Sequence, residues 1–262
     1  VNGDGFSDVV AGADGYDNLA ADSGKTYVFY GCNAGLATTA AWAPAPEPQA
    51  SAWFGHSIAS AGDVNGDGFS DVVAGALFYD NGATDTGKAY LFLGGATGLA
   101  TTAAWAVTPE PQVQARFGRS VASAGDVNGD GFSDVVVGAP FYNNGATDTG
   151  KAYVFLGGSA GLATTAAWAV TPEPQLSARF GHSVASAGDV NGDGFSDVVA
   201  SAPLYDNSAT NSGKAYLFYG GSGGLATTAA WSATPEPQLN AEFGDSVAGA
   251  GDVNGDGFSD VV

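Results

Sequence analysis

The sequence has no methionine, one cysteine (Cys32), two histidines, and only seven Lys or Arg residues against 27 Asp or Glu. Each shortage excludes something. A single cysteine cannot build an internal disulfide framework, and it leaves the redox compartment open. A formal net charge of −20 argues against a nucleic-acid surface, because phosphate contacts need clustered Lys and Arg. No run approaches about eighteen apolar residues, so no membrane-spanning helix is expected. There is no secretory-signal pattern, and the missing initial Met leads us to expect a segment of something longer. No Gly-rich phosphate loop opens a helix, and neither His has a matched partner, so no catalytic centre is expected. Glycine is abundant, 41 of 262 residues, and 45% of the chain is hydrophobic, which suffices for a packed core.

What dominates the chain is self-similarity. The string VNGDGFSDVV occurs five times unchanged, starting at Val1, Val64, Val127, Val190 and Val253, with a period of 63 residues. Four further landmarks keep that period: FG-x-S from Phe54, Phe117, Phe180 and Phe243; GK-T/A-Y at Lys25, Lys88, Lys151 and Lys214; GLATTAAW ending at Trp42, Trp105, Trp168 and Trp231; and PEPQ from Pro46, Pro109, Pro172 and Pro235. One unit reads as four short strands, at Ser120 to Gly125, Asp134 to Ala139, Lys151 to Leu156 and Thr165 to Thr171. The second is an apolar run of the kind a doubly buried strand shows. No segment carries caps and a 3.6-residue stripe long enough for a substantial helix. Tandem four-stranded units predict an all-β propeller, each blade burying its faces against its neighbours.

Each repeated acidic loop sets oxygen side chains at alternate positions. In the third copy Asp126, Asn128, Asp130 and Asp134 stand at positions 1, 3, 5 and 9, and Phe132 offers its carbonyl at position 7. Alternate oxygens converging on one hard cation are how an EF-hand loop opens, so Ca²⁺ is the expected ligand. The equivalent sets are Asp63, Asn65, Asp67, Phe69 and Asp71; Asp189, Asn191, Asp193, Phe195 and Asp197; and Asp252, Asn254, Asp256, Phe258 and Asp260. The first copy has Asn2, Asp4, Phe6 and Asp8 but no Asp at position 1. A metal-free Asx-rich turn is the alternative, disfavoured because three converging carboxylates repel when unpaired. Fourteen of the 27 acidic residues lie in these loops, so much of the net charge is expected to be ligand charge.

FG-x-S, DVNGDGFSD and Gly138-Ala-Pro140 together resemble the FG-GAP repeat, the blade unit of the integrin α-subunit β-propeller and of many bacterial extracellular proteins. The resemblance covers essentially the whole chain. It implies a calcium loop between the first and second strands of each blade, held by the residues named above. It also implies a secreted or cell-surface location. The GA-P string is altered at Gly12-Ala-Asp14, Gly75-Ala-Leu77 and Ser201-Ala-Pro203. The chain is expected to form one domain, with repeats at 54–116, 117–179 and 180–242 and a further blade shared between 243–262 and 1–53. Either four blades close within one chain, or a homodimer completes an eight-bladed ring, or the chain is a cut-out of a longer array.

Variation within this constant frame is concentrated at Trp53, His56, Arg116, Arg119, Arg179, His182, Glu242 and Asp245, which makes these the candidate ligand contacts. The His, Arg and Asp of FG-x-S are expected on a solvent-facing rim, and Trp53 on a surface. Trp42, Trp105, Trp168 and Trp231 are expected to be packing residues, with sugar stacking as the alternative. The repeated Lys residues are read as counter-charges to nearby acids or as exposed strand starts. The expected function is a non-catalytic, calcium-binding scaffold for extracellular protein binding or adhesion. A carbohydrate-binding lectin propeller, or a structural or engineered ring with no ligand beyond calcium, is the alternative.

Overall fold

A run such as DVVVGA can be buried on both faces only if something packs on each, and that requirement sets the architecture. The computed structural model describes residues 1–44 and 46–262 and contains no helix among them. The chain opens with β1 (Val9–Ala13) and β2 (Lys25–Phe29), then a short hairpin of β3 (Gly31–Cys32) and β4 (Gly35–Leu36). Three antiparallel four-stranded sheets follow. The first holds β5 (Phe54–Gly62), β6 (Asp71–Ala76), β7 (Lys88–Phe92) and β8 (Trp105–Val107). The second holds β9 (Ser120–Gly125), β10 (Asp134–Ala139), β11 (Lys151–Phe155) and β12 (Trp168–Val170), and the third β13 (Val184–Gly188), β14 (Asp197–Ala202), β15 (Lys214–Phe218) and β16 (Trp231–Ala233). A two-stranded pair, β17 (Gly249–Gly251) and β18 (Asp260–Val261), ends the chain. Each sheet keeps sequence order, as a propeller blade does. The fourth strand is shorter than its sequence suggests, because only three residues pair with the third strand.

Every residue of β6, β10 and β14 is buried. Successive side chains of a strand point to opposite faces, so these strands feed two cores at once. Val135 and Val137 join Trp105 and Leu91 in the core toward the preceding blade, whereas Val136 joins Phe218 and Tyr216 in the core toward the following one. The cores therefore lie between blades.

Four contacts recur at each interface. Trp105 stands edge-on to Phe155 of the next blade at 5.0 Å, packs in one core with Leu162, and donates its indole N–H to the Ala163 carbonyl at 3.0 Å. Trp42 and Trp168 do the same with Phe92, Leu99 and Ala100, and with Phe218, Leu225 and Ala226. These three Trp residues are packing residues, with no ring face free for a sugar. Second, the PEPQ segment reaches into the following blade. Glu110 accepts from Lys151 Nζ at 2.8 Å and from the Tyr142 hydroxyl at 2.5 Å, and Gln112 brackets the backbone of Asn143. Third, the two motif glycines of FG-x-S and GA-P meet across the interface: a Cβ on Gly138 would overlap the carbonyl oxygen of Gly181. Where Ser201 replaces that glycine, it exchanges hydrogen bonds with Ser183 instead. Fourth, the acidic loops stack, Phe132 lying against Gly66 of the preceding loop.

β1–β2 and β17–β18 stand as separate two-stranded sheets at the two ends. Trp231 is 43% exposed, against 5% for Trp105.

Substituting Gly138→Ala forces a Cβ into backbone, an overpacking that costs about 1–3 kcal/mol. Denaturant unfolding should show a lowered midpoint for this variant and little change for Gly158→Ala, whose Cβ would meet open space. Equal midpoints for the two would contradict the interface described here.

Candidate functional site

The acidic loop joins the first and second strands of every blade, between β5 and β6, β9 and β10, and β13 and β14. Its local fold follows from short side chains that satisfy nearby amides, with glycine at the positive-φ positions. Asp126 Oδ1 accepts from the amides of Gly129 at 2.7 Å and Asp130 at 3.1 Å, and its Oδ2 from Gly131 at 2.8 Å. Asn128 Oδ1 accepts from the Asp130 amide, while its Nδ2 donates to Asp130 Oδ2 at 2.9 Å. Asp130 Oδ1 accepts from the Phe132 amide at 3.0 Å. The loops of Asp63, Asp189 and Asp252 repeat this arrangement bond for bond. In the first copy Asn2, Asp4 and Phe6 keep their part of it.

The ninth-position Asp behaves differently. Asp134 is wholly buried, its Oδ2 accepting from the Val127 amide at 2.8 Å and its Oδ1 from the Gly157 amide at 2.9 Å. It thus ties the loop to the turn after the third strand. Asp71 and Asp197 do the same through Val64 and Gly94, and through Val190 and Gly220. Burial pushes the carboxyls of Asp71 and Asp134 up to about 6 against the pull of those amides, and the neighbouring loop carboxylates push the same way. Asp197 is shifted upward for the same reasons. Asp8 keeps both contacts, accepting from the Val1 nitrogen at 2.8 Å and the Gly31 amide at 3.0 Å, and Asp260 accepts from the Val253 amide.

The residues named from the sequence are therefore neighbours in each loop, but their side chains close on loop amides. Among the described residues no three His, Cys, Asp or Glu side chains gather round one point that could hold a metal ion. No Lys, Arg or His side chain forms an ion pair with a loop carboxylate there either. The donor set is nonetheless that of a hard-cation loop: carboxylate, amide and carbonyl oxygens at alternate positions, with uncompensated charge.

At the other end of the first strands the variable residues meet. Arg119 donates through Nη1 to His56 Nε2 at 3.0 Å and through Nη2 to His182 Nε2 at 2.9 Å. His56 Nδ1 faces Asp14 at 2.8 Å, and Asp245 approaches His182 Nε2 at 3.3 Å. His182 Nε2 cannot both accept from Arg119 and donate to Asp245. The shorter Arg119 contact and the downward shift of His182 assign it as the acceptor. Burial, then the Arg119 charge, pushes His182 down to about 4. Beside this row the Arg116 guanidinium lies 4.8 Å from the Phe78 ring and 4.0 Å from that of Phe141, which Arg179 also covers at 4.6 Å. Trp53 abuts Phe78 edge-on at 4.9 Å. Trp53, Arg116, Arg179 and Glu242 all have left-handed backbone, with φ between 51 and 59°. The expected solvent-facing rim is thus corrected. Only Glu242 and Asp245 are exposed; His182 keeps 14% side-chain exposure, and Trp53 is half-buried against its aromatic neighbour. Proximity of units 63 residues apart was invisible in the sequence because nothing there reveals how tightly blades converge.

The FG-GAP repeat family matches residues 54–92, 117–155 and 180–218, the first three strands of the three complete sheets. The chain is an integrin-like FG-GAP repeat protein. It is 36% identical to human integrin alpha-IIb over 159 residues and 33% identical to the mouse protein over the same length, covering 59% of this chain in each case. Against integrin alpha pat-2 of Caenorhabditis briggsae it is 30% identical over 224 residues, 77% of this chain. The chain spans 15% of the length of the two alpha-IIb relatives and 17% of the pat-2 relative. No helix among the described residues is long and apolar enough to cross a membrane.

Because His182 is depressed in the folded state, it contributes stability present above its unfolded value, near 6.5. That stability is lost as pH falls toward about 4. Arg119, Arg179, His56 and Asp245 are the charged or titratable groups that act on it. In His182→Gln the unfolding midpoint should fall less steeply than in the wild type between pH 6.5 and 4. Identical slopes would refute the buried, neutral assignment.

Proposed function

We propose that the chain is a non-catalytic, calcium-loaded extracellular scaffold for protein binding or adhesion, built as one domain of FG-GAP blades. The observation that carries the reading is the invariant acidic loop, whose clustered carboxylates have no cationic side chain to balance them. A divalent cation bound by Asp126, Asn128, Asp130, Phe132 and Asp134, and by their equivalents in the loops of Asp63, Asp189 and Asp252, supplies that balance. It would also lock the link between first and second strands. The similarity to integrin α chains supports an adhesion role at or outside the cell surface. The exposed Glu242 and Asp245, with the partly exposed Trp53, Arg116 and Arg179 of the other units, would supply the surface where an extracellular protein docks. Burial of Trp42, Trp105 and Trp168 removes the repeated sugar-stacking faces a lectin reading would use, so a glycan array should stay silent.

Extracellular loops of this kind bind calcium with dissociation constants of about 10⁻⁴–10⁻³ M. At a concentration a hundredfold above Kd each site adds about 2.7 kcal/mol to stability. Calorimetric titration should find about four calcium ions per chain, and Asp126→Asn should remove one, with magnesium much weaker. Unfolding midpoints should rise with calcium in the wild type. Absence of both heat and stabilisation at about 10 mM calcium would overturn the reading.

A further inference from the structure

The three arginines of the chain are not used alike. Arg119 is satisfied by His56 and His182. Arg116 and Arg179 are not satisfied. Among the described residues neither guanidinium lies within ion-pair distance of a carboxylate, that of Glu242 at the equivalent position of the next unit included. Nε of each is buried without an acceptor, whereas the Nη groups of these partly exposed residues keep solvent contact. What holds both side chains is apolar: Arg116 lies against the Phe78 and Phe141 rings, and Arg179 against the same Phe141. A guanidinium stacks through its face and donates through its edge, so this arrangement leaves the donors free. Burial lowers Arg116 from its ordinary value and the charge of Arg179 adds to that, while Asp85 and Asp148 oppose it from beyond ion-pair distance. These residues belong to the joints among the three complete four-stranded sheets and to neither end of the chain. Three residues before each arginine stands an open apolar side chain, Val113 at 56% and Leu176 at 63% exposure. Apolar side chains left in water beside unpaired donors suit a protein partner.

We propose that Arg116 and Arg179 form a carboxylate-reading site, which takes an Asp or Glu side chain of an extracellular protein partner while Val113 and Leu176 cover its apolar neighbours. The class of partner rests on the protein-binding reading above; the site itself does not depend on calcium. Two guanidinium groups held on one ring offer forked N–H donors to the two oxygens of a carboxylate. The ring contacts already fix both side chains, so little rotamer freedom is left to lose on binding. A carboxylate at the Nη groups also supplies the counter-charge that these two neighbouring cations lack. One acidic side chain brings one charge, whereas a sulfated glycan or a nucleic acid would bring many against a net charge of −20.

Because the chain has only Arg116, Arg119 and Arg179, its proton–nitrogen spectrum carries three arginine Nε–H signals, which substitution assigns. Titrating the full chain in millimolar calcium with a capped Ala-Leu-Glu-Leu-Ala peptide should move the signals of Arg116 and Arg179, with a Kd of about a millimolar, and leave that of Arg119 nearly in place. The same peptide with Gln for Glu should move neither. Arg116→Gln and Arg179→Gln should each weaken binding at least about tenfold. Arg116→Lys keeps the charge and the ring contact but loses the fork, and should weaken binding about threefold with an unchanged unfolding midpoint. No shift at about 20 mM peptide, equal shifts with the Gln peptide, or tighter binding of a heparin fragment would each overturn the proposal. Stabilisation by calcium, followed in the same samples, reports on the scaffold reading, so its failure and that of the arginine site are distinguishable.

Discussion

Burial of the second strand on both faces is the constraint from which the rest follows. Val135, Val136 and Val137 alternate between two cores, and neither core exists within a single blade. A blade on its own would leave one valine row in water at about 25 cal/mol for every Å² of apolar surface exposed. Each unit is therefore stable only through its neighbours, as in other repeat proteins. The remaining interface contacts fix how neighbours meet. The Trp side chain measures the distance to the next blade and satisfies its N–H on the next blade's carbonyl. The opposed glycines allow the backbones to touch, and the Glu–Lys–Tyr clamp sets the angle at the outer edge. The clamp is half-exposed, its Lys largely covered and its Glu open to solvent, and an ion pair at such a surface adds little energy by itself. Its value is in direction, because Glu110 has one partner Lys and one partner Tyr at fixed spacing.

The charge of the chain is sorted along the same strands. Arg119 precedes β9 and Asp126 follows it, seven residues apart, or about 23 Å at 3.3 Å per residue. Acidic loops therefore gather at one end of the blades, and all three Arg residues and both His residues at the other. Within each loop the first line of compensation is the backbone. Asp126 and Asp134 together accept five amide hydrogen bonds. Amide dipoles hold one carboxylate comfortably, but they do not offset the repulsion among three. Asp134 is shifted upward chiefly by burial, with the neighbouring loop carboxylates pushing the same way against its two amide donors.

Much of this was legible in the chain. The period of 63 residues, the doubly buried second strand and the place of the loop between first and second strands follow from repetition and hydrophobic pattern, and the structure has them where the sequence puts them. The fourth strand was overestimated because, although Ala167 donates its amide to the Val154 carbonyl, regular pairing with the third strand starts only at Trp168. The PEPQ and GK motifs were visible as constants without a reason. Glu110 and Lys151 lie 41 residues apart, and only the geometry of adjacent blades brings them together. Their shared constancy was the available signal, since two charged residues of opposite sign that never vary in step are candidates for a pair. The half-buried axial positions of His56, Arg119 and His182 were misjudged because variability suggests exposure, and here it has another cause.

That cause is convergence. Side chains at one position of successive repeats stand within hydrogen-bond reach of each other near the axis, as Arg119 does with both His56 and His182. If every unit carried Arg there, each guanidinium would face two like charges in a half-buried setting where Arg119 already sits below its ordinary value through burial. If every unit carried Asp the conflict would be the same with opposite sign. A repeat can be copied unchanged wherever it contacts a different position of its neighbour, as Trp105 contacts Phe155. It cannot be copied unchanged where it contacts itself with charged groups. The His, Arg, His, Asp sequence along the axis places unlike groups side by side, with Arg119 donating to a histidine on either side. Variation at this position is thus required by packing alone. On the same argument, of the residues that vary, it is those free of this constraint at the surface, Glu242 above all, whose identity is open to selection by a partner.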